Sequence, residues 1–129
     1  MITAALVGVF GVAGALLRFA VDSWFAHRTV HPTVHRPGAR PHWPWATLTV
    51  NIAGSFVIGI SLGLTDRLGL GPEWHTALTA GLAGGLTTFS SWTTATVRLA
   101  SEARYRAAAL NVAVNLLAGL AAAALGRAL

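Results

Sequence analysis

Long apolar runs fill most of the chain, and the polar residues inside them recur at helical rather than alternating spacing. The pattern predicts membrane-spanning helices over about residues 2–25, 45–65, 75–99 and 107–126. Helix one is apolar apart from Arg18 and Asp22. It carries small residues at Gly8, Gly11, Gly14 and Ala15, which let a neighbouring backbone come close. Trp43 and Trp45 bracket the start of helix two, as expected at a bilayer interface, and Ser55, Gly59 and Gly63 form a ridge of small residues along it. Residues 27–44 hold four of the five prolines and four of the five histidines, which predicts a loop. A short connection through Gly69, Gly71 and Pro72 leads to Trp74 and helix three. A charged turn through Glu102, Arg104 and Arg106 leads to helix four.

Polar residues at depth change this picture. In helix three the stretch GGLTTFSSWTTAT, residues 84–96, places seven hydroxyl residues and two adjacent glycines near mid-span. On a wheel of about 100° per residue, Thr87, Ser90, Ser91 and Thr94 share one stripe, while Phe89, Trp92 and Thr96 lie on another side. Helix two adds Asn51 and, one turn on, Ser55; helix four adds Asn111 and Asn115, with Gly119 continuing the line. Each polar group alone would serve to hold helices together, for about 0.6 kcal/mol. Three aligned polar faces exceed what adhesion needs and predict a route for a polar solute. Gly84 and Gly85 suit either close helix packing or a helix break, which would free backbone carbonyls and N–H groups for ions.

Composition supports an integral membrane protein: 129 residues, 54% hydrophobic, 10% charged, with mean hydropathy +0.61. The net charge of +5 sits on scattered arginines without the basic stripe a duplex requires, so nucleic acid is not an expected partner. Cysteine is absent, which excludes disulfides and thiol chemistry. No nucleophile, base and orienting group stand at catalytic spacing, so an enzyme is not expected. The polar lining holds amides and hydroxyls but no mid-membrane carboxylate, which favours a small anion that accepts hydrogen bonds strongly. Aromatic edges add the positive part of the ring quadrupole.

The segments GVAGALLRF, WATLTVNIAGSFVIG, GLAGGLTTFSSW and ALNVAVNLLAG, one per helix and in order, resemble the Fluc (CrcB) family of fluoride channels. The resemblance implies an all-α integral membrane protein: four transmembrane helices with a broken third helix, in an antiparallel, dual-topology-type dimer, with residues 1–129 as one domain. It implies passive export of cytoplasmic fluoride across the plasma membrane. It also implies a structural sodium ion held by the backbone carbonyls of Gly84 and Thr87 of each subunit. By motif matching, the fluoride path falls on Asn51, Phe89, Ser90, Ser91, Trp92, Asn111 and Asn115, with Arg18 as a vestibule or structural residue. Two positions depart from the family pattern. Trp92 stands where the family has a second ring-lining phenylalanine, and Gly119 stands where many relatives have a hydroxyl.

Charge asymmetry adds an expectation about assembly. Loop one holds Arg28, Arg36 and Arg40 and loop three holds Arg98, Arg104 and Arg106, against Arg67 and Arg127 on the opposite side. That bias predicts cytoplasmic loops one and three and favours one defined orientation. The second Fluc-type subunit is then expected to be a different chain inserted oppositely, with a homodimer as the alternative. Other readings have weaker support. A small drug-proton antiporter needs a membrane carboxylate, and Asp22 near the end of helix one is the candidate; a non-transporting membrane adaptor would need none. His27, His31 and His35 recur every four residues as metal ligands on a helix would, but Pro32 and Pro37 argue for an ordinary loop. Arg18 is expected either to snorkel to the interface or to pair with Asp22.

Overall fold

The computed structural model describes residues 1–29 and 43–129, all of whose regular elements are helical. Helix α1 spans Ile2–Thr29 and α2 spans Trp45–Leu68. A third segment follows in pieces: α3 over Pro72–Thr76, a π-helical stretch over Ala77–Ala83, α4 over Gly84–Leu86 and, after two extended residues, α5 over Phe89–Ser101. Helix α6 spans Tyr105–Ala128. Three of these helices, α1, α2 and α6, are long and apolar enough to cross a membrane.

The ends differ from the sequence expectation in specific ways. Helix α1 continues to Thr29 instead of stopping near Phe25, because the Arg28 guanidinium stacks over the Trp24 ring one turn back, at 4.0 Å from its centroid. His27 and Arg28, expected in the loop, therefore belong to α1, and Pro44 directly precedes α2. The proposed histidine cluster lies largely outside the described residues, since His31 and His35 fall in the stretch between them. Helix α2 runs to Leu68 and ends at Gly69, whose φ of 60° is left-handed and whose N–H returns to the Thr65 carbonyl at 3.1 Å. Arg98 and Arg106 belong to helix ends, leaving Glu102, Ala103 and Arg104 as the turn between α5 and α6.

Small residues bring the backbones together. Helices α2 and α6 pack along their length: a methyl at Gly59 would overlap the Ala123 carbonyl, and one at Gly126 the Phe56 carbonyl. Gly63 meets Arg127, so the ridge read from sequence faces α6. Helix α1 lies against the third segment in the same manner, with Gly14 against Leu82 and Gly85 against Gly11. This close packing leaves a small, partly polar interior. Its largest fully buried side chains are Leu99, Val50, Asn111 and Ser61. The large apolar side chains point outward instead, among them Val9, Val12, Leu16 and Phe19 of α1 and Leu110, Leu117, Leu120 and Leu125 of α6. A water-soluble protein would invert that arrangement; lipid tails accept it without cost.

Candidate functional site

The site is built around the interruption at Thr87 and Thr88. Thr87 has φ −76° and ψ 159°, and Thr88 has φ −145° and ψ 115°, so both are extended between two helical pieces. The glycines are not where the chain opens: Gly84 is helical, at φ −63° and ψ −38°, and Gly85 serves the close approach to Gly11. What makes the interruption stable is substitution of its lost hydrogen bonds. The Thr88 N–H donates to Asn51 Oδ1 at 2.9 Å, and Asn51 Nδ2 donates back to the Thr88 carbonyl at 3.3 Å. The Thr88 hydroxyl caps α5 by accepting the Ser91 N–H at 3.2 Å.

From Asn51 the polar contacts continue into α6. Asn51 Nδ2 donates to Asn115 Oδ1 at 3.1 Å, and Asn115 Nδ2 donates to the Asn111 carbonyl at 2.9 Å and to Asn111 Oδ1 at 3.1 Å. Asn111 Nδ2 donates to the Thr96 hydroxyl at 2.9 Å, which returns the chain of bonds to α5. Asn111 and Asn115 are buried, so these bonds offset the cost of holding amides out of water. The Trp92 indole Nε1–H donates to the Asn111 carbonyl at 3.3 Å, a contact a phenylalanine at that position would not make.

Of the seven fluoride-path residues assigned from sequence, six line two cavities, and Asn111, fully buried, lines neither. Asn51, Phe89, Trp92 and Asn115 line one of about 310 Å³, together with Ser55, Thr87 and Thr88. Ser90 and Ser91 line another, with Thr47 and Thr94. The stripe read as Thr87, Ser90, Ser91 and Thr94 is therefore corrected, because the wheel assumed an unbroken helix. Thr87 instead donates its hydroxyl to the Ala83 carbonyl at 2.9 Å and rests its methyl over Gly54. Thr88 joins the two groups: its hydroxyl lies 3.3 Å from that of Ser90 and donates to that of Ser91 at 3.1 Å. Sequence reasoning passed over Thr88. The available signal was a threonine three residues before Ser91, the spacing of an N-cap.

Three further positions differ from or refine the expectation. Arg18 neither snorkels nor pairs with Asp22 among the described residues; it is half-buried and its Nη1 donates to the Thr87 carbonyl at 3.3 Å. Gly119 lacks a hydroxyl, but Ser55 brings one across from α2, with Oγ 3.1 Å from where a Cβ at Gly119 would stand. Phe89 and Trp92 meet edge to face at 5.5 Å between centroids, and Phe89 is 72% exposed, directed away from the rest of the chain.

The Gly84 carbonyl suits a cation. Helix α4 ends at Leu86, and the Thr88 N–H that would bond to the Gly84 carbonyl in an unbroken helix goes to Asn51. Thr87 suits one less well, since its carbonyl already accepts from the Arg18 guanidinium and keeps one lone pair. The arrangement as a whole presents neutral donors, aromatic edges and one arginine around a gap in a helix. Hydroxyls and aromatic edges of this kind suit a small hydrogen-bond-accepting anion; among the described residues no group is set for bond making or breaking.

Comparison with known proteins points the same way. Residues 5–127 match the family model described as CrcB-like protein, Camphor Resistance (CrcB). The fluoride-specific ion channel FluC of Renibacterium salmoninarum is 48% identical over 122 residues, which cover 93% of this chain and 92% of that one. The fluoride-specific ion channel FluC 1 of Symbiobacterium thermophilum is 42% identical over 125 residues, covering 96% and 94%. The Escherichia coli K12 protein of the name FluC is 45% identical over 83 residues, covering 64% and 65%.

Proposed function

The chain belongs to the CrcB-like family, and from that premise we propose that it is a passive fluoride channel of the cell membrane. It is a channel and not an enzyme. The observation that carries the reading is the helix interruption at Thr87 and Thr88, held by Asn51 and continued by Asn115 and Asn111 beside the Phe89–Trp92 pair. Fluoride, the smallest halide and a strong hydrogen-bond acceptor, exchanges its hydration shell stepwise for the hydroxyls and aromatic edges beside this break, and for the asparagine amides by displacing the bonds they make to one another. Larger, weaker acceptors recover less of theirs at the same groups, which gives selectivity without a charged filter.

In this reading the third segment, residues 72–101, is a fourth crossing interrupted at its middle. The chain works as an antiparallel dimer. Phe89 and Gly84 are both exposed on the free chain, and a second subunit covering them would complete an aromatic box and bring a matching carbonyl to Gly84. The carbonyls of Gly84 and Thr87 would hold the sodium ion, which supplies a fixed positive charge beside the route when bound. The six-to-two arginine bias favours loops one and three in the cytoplasm and a partner chain of opposite orientation.

Growth on fluoride tests the function in cells. Expression in a bacterium stripped of its own fluoride channels should restore growth, alone for a homodimer and only with the partner chain for a heterodimer. An adaptor that transports nothing restores growth in neither case, and that result would sink the reading.

A further inference from the structure

The cavity that holds Ser90 and Ser91 leads away from the asparagines and ends at a charge. Its walls include Thr47 of α2 and Ser90, Ser91, Thr94 and Arg98 of α5, around a space of about 380 Å³. Ser91, Thr94 and Arg98 stand at i, i+3 and i+7, which is one stripe of a helix. Hydroxyls therefore climb α5 from the interruption toward the guanidinium over two turns, about 10 Å at the helical rise. Arg98 also borders the neighbouring cavity, with Asp22, Trp43 and Trp45, so it stands where the two spaces meet.

Resting on the channel reading, we propose that this cavity is the anion-collecting mouth of the route, with Arg98 as its capturing charge and Glu102 as the carboxylate that limits it. The lining suits a small hydrogen-bond-accepting anion: four hydroxyls to donate, and one cation to concentrate the ion before it meets neutral donors deeper in. The Arg98 side chain is 51% exposed, with Nε 4.0 Å from Glu102 Oε1, and the other Glu102 oxygen lies 3.5 Å from Arg104 Nη1. Glu102 thus shares its charge between two arginines and opposes an anion at the mouth, as does Asp22 beyond it. A charge at a narrow opening raises local ion concentration and capture rate by about tenfold or more, and salt screens the effect. At about 0.01 M salt the screening length is about 30 Å; at about 1 M it is about 3 Å.

The test is fluoride flux through the assembled channel in liposomes, for the wild type, R98Q, R98K and E102Q, at these two ionic strengths set with an impermeant salt. At low salt R98Q should pass fluoride about tenfold more slowly, R98K should stay near wild type and E102Q should exceed it. At high salt the four should converge. A conducting wild type matched by R98Q at low salt would overturn the proposal alone, and so would an R98Q deficit that persists unchanged at high salt. A wild type without flux would overturn the channel reading and this proposal with it.

Discussion

Asn51 on α2 takes the Thr88 N–H at 2.9 Å, a bond that in an unbroken helix would run to the Gly84 carbonyl. One side chain thereby holds the interruption open and frees a carbonyl at the same step. The same amide donates to both Thr88 and Asn115, so each of its hydrogen-bonding groups is committed.

Asn51→Ala removes all three contacts. It leaves the Thr88 N–H and Asn115 Oδ1 unpaired in a buried setting, at about 1–3 kcal/mol for each group left unsatisfied. Fluoride flux is expected to fall at least tenfold. Asn51→Asp keeps the acceptor for Thr88 but turns an oxygen toward the Thr88 carbonyl and Asn115 Oδ1 and adds a negative charge beside the route, so flux should fall further and the folded protein should also lose stability. Flux in liposomes, set beside thermal unfolding in detergent, separates the two effects.

Thr88→Val deletes the cap hydroxyl and Thr88→Ser keeps it. The valine form should lose about 1 kcal/mol through the unpaired Ser91 N–H. It should also conduct more slowly, because Ser90 and Ser91 lose the hydroxyl that joins them to the asparagine side. The serine form should remain close to wild type in both measurements.

Trp92→Phe keeps an aromatic edge against Phe89 and removes the indole N–H bonded to the Asn111 carbonyl. The loss should be about 0.6 kcal/mol of stability, with flux within a few-fold of wild type. Trp92→Ala removes the edge as well and should reduce flux strongly. Equal flux from the alanine and phenylalanine forms would show that the ring has no part in conduction.

Gly59→Ala drives a methyl into the Ala123 carbonyl, whereas Gly8→Ala meets nothing within 4 Å. The first should cost about 1–3 kcal/mol, the range for overpacking, by forcing α2 and α6 apart. It should lower the yield of folded protein in size-exclusion chromatography. The second should be indistinguishable from wild type.

Much of this was legible in the chain. The three long apolar helices α1, α2 and α6, the small-residue ridge on α2 and the one-turn spacing of Asn111 and Asn115 follow from periodicity, because packing and amide pairing act at three and four residues. Where the third segment opens was not legible from the glycines. Gly84 and Gly85 looked like the weak point, yet a residue on another helix, Asn51, decides that Thr88 leaves the helix. The wheel then misplaced Thr87 relative to Ser90, since two extended residues reset the rotation between α4 and α5. Arg18 was ambiguous for a similar reason: its partner, the Thr87 carbonyl, lies 69 residues away in sequence. That α1 continues past Phe25 was not legible either, since it goes with a stack of Arg28 on Trp24 that composition alone does not reveal.

The most direct test of the central claim is anion flux from liposomes holding the purified protein, followed with a fluoride-selective electrode and, in parallel vesicles, a chloride-selective one. The account predicts rapid fluoride efflux once a potassium ionophore balances charge, with no chloride efflux above that of empty vesicles. Equal release of both anions, or no release of fluoride from vesicles shown to hold folded protein, would contradict it.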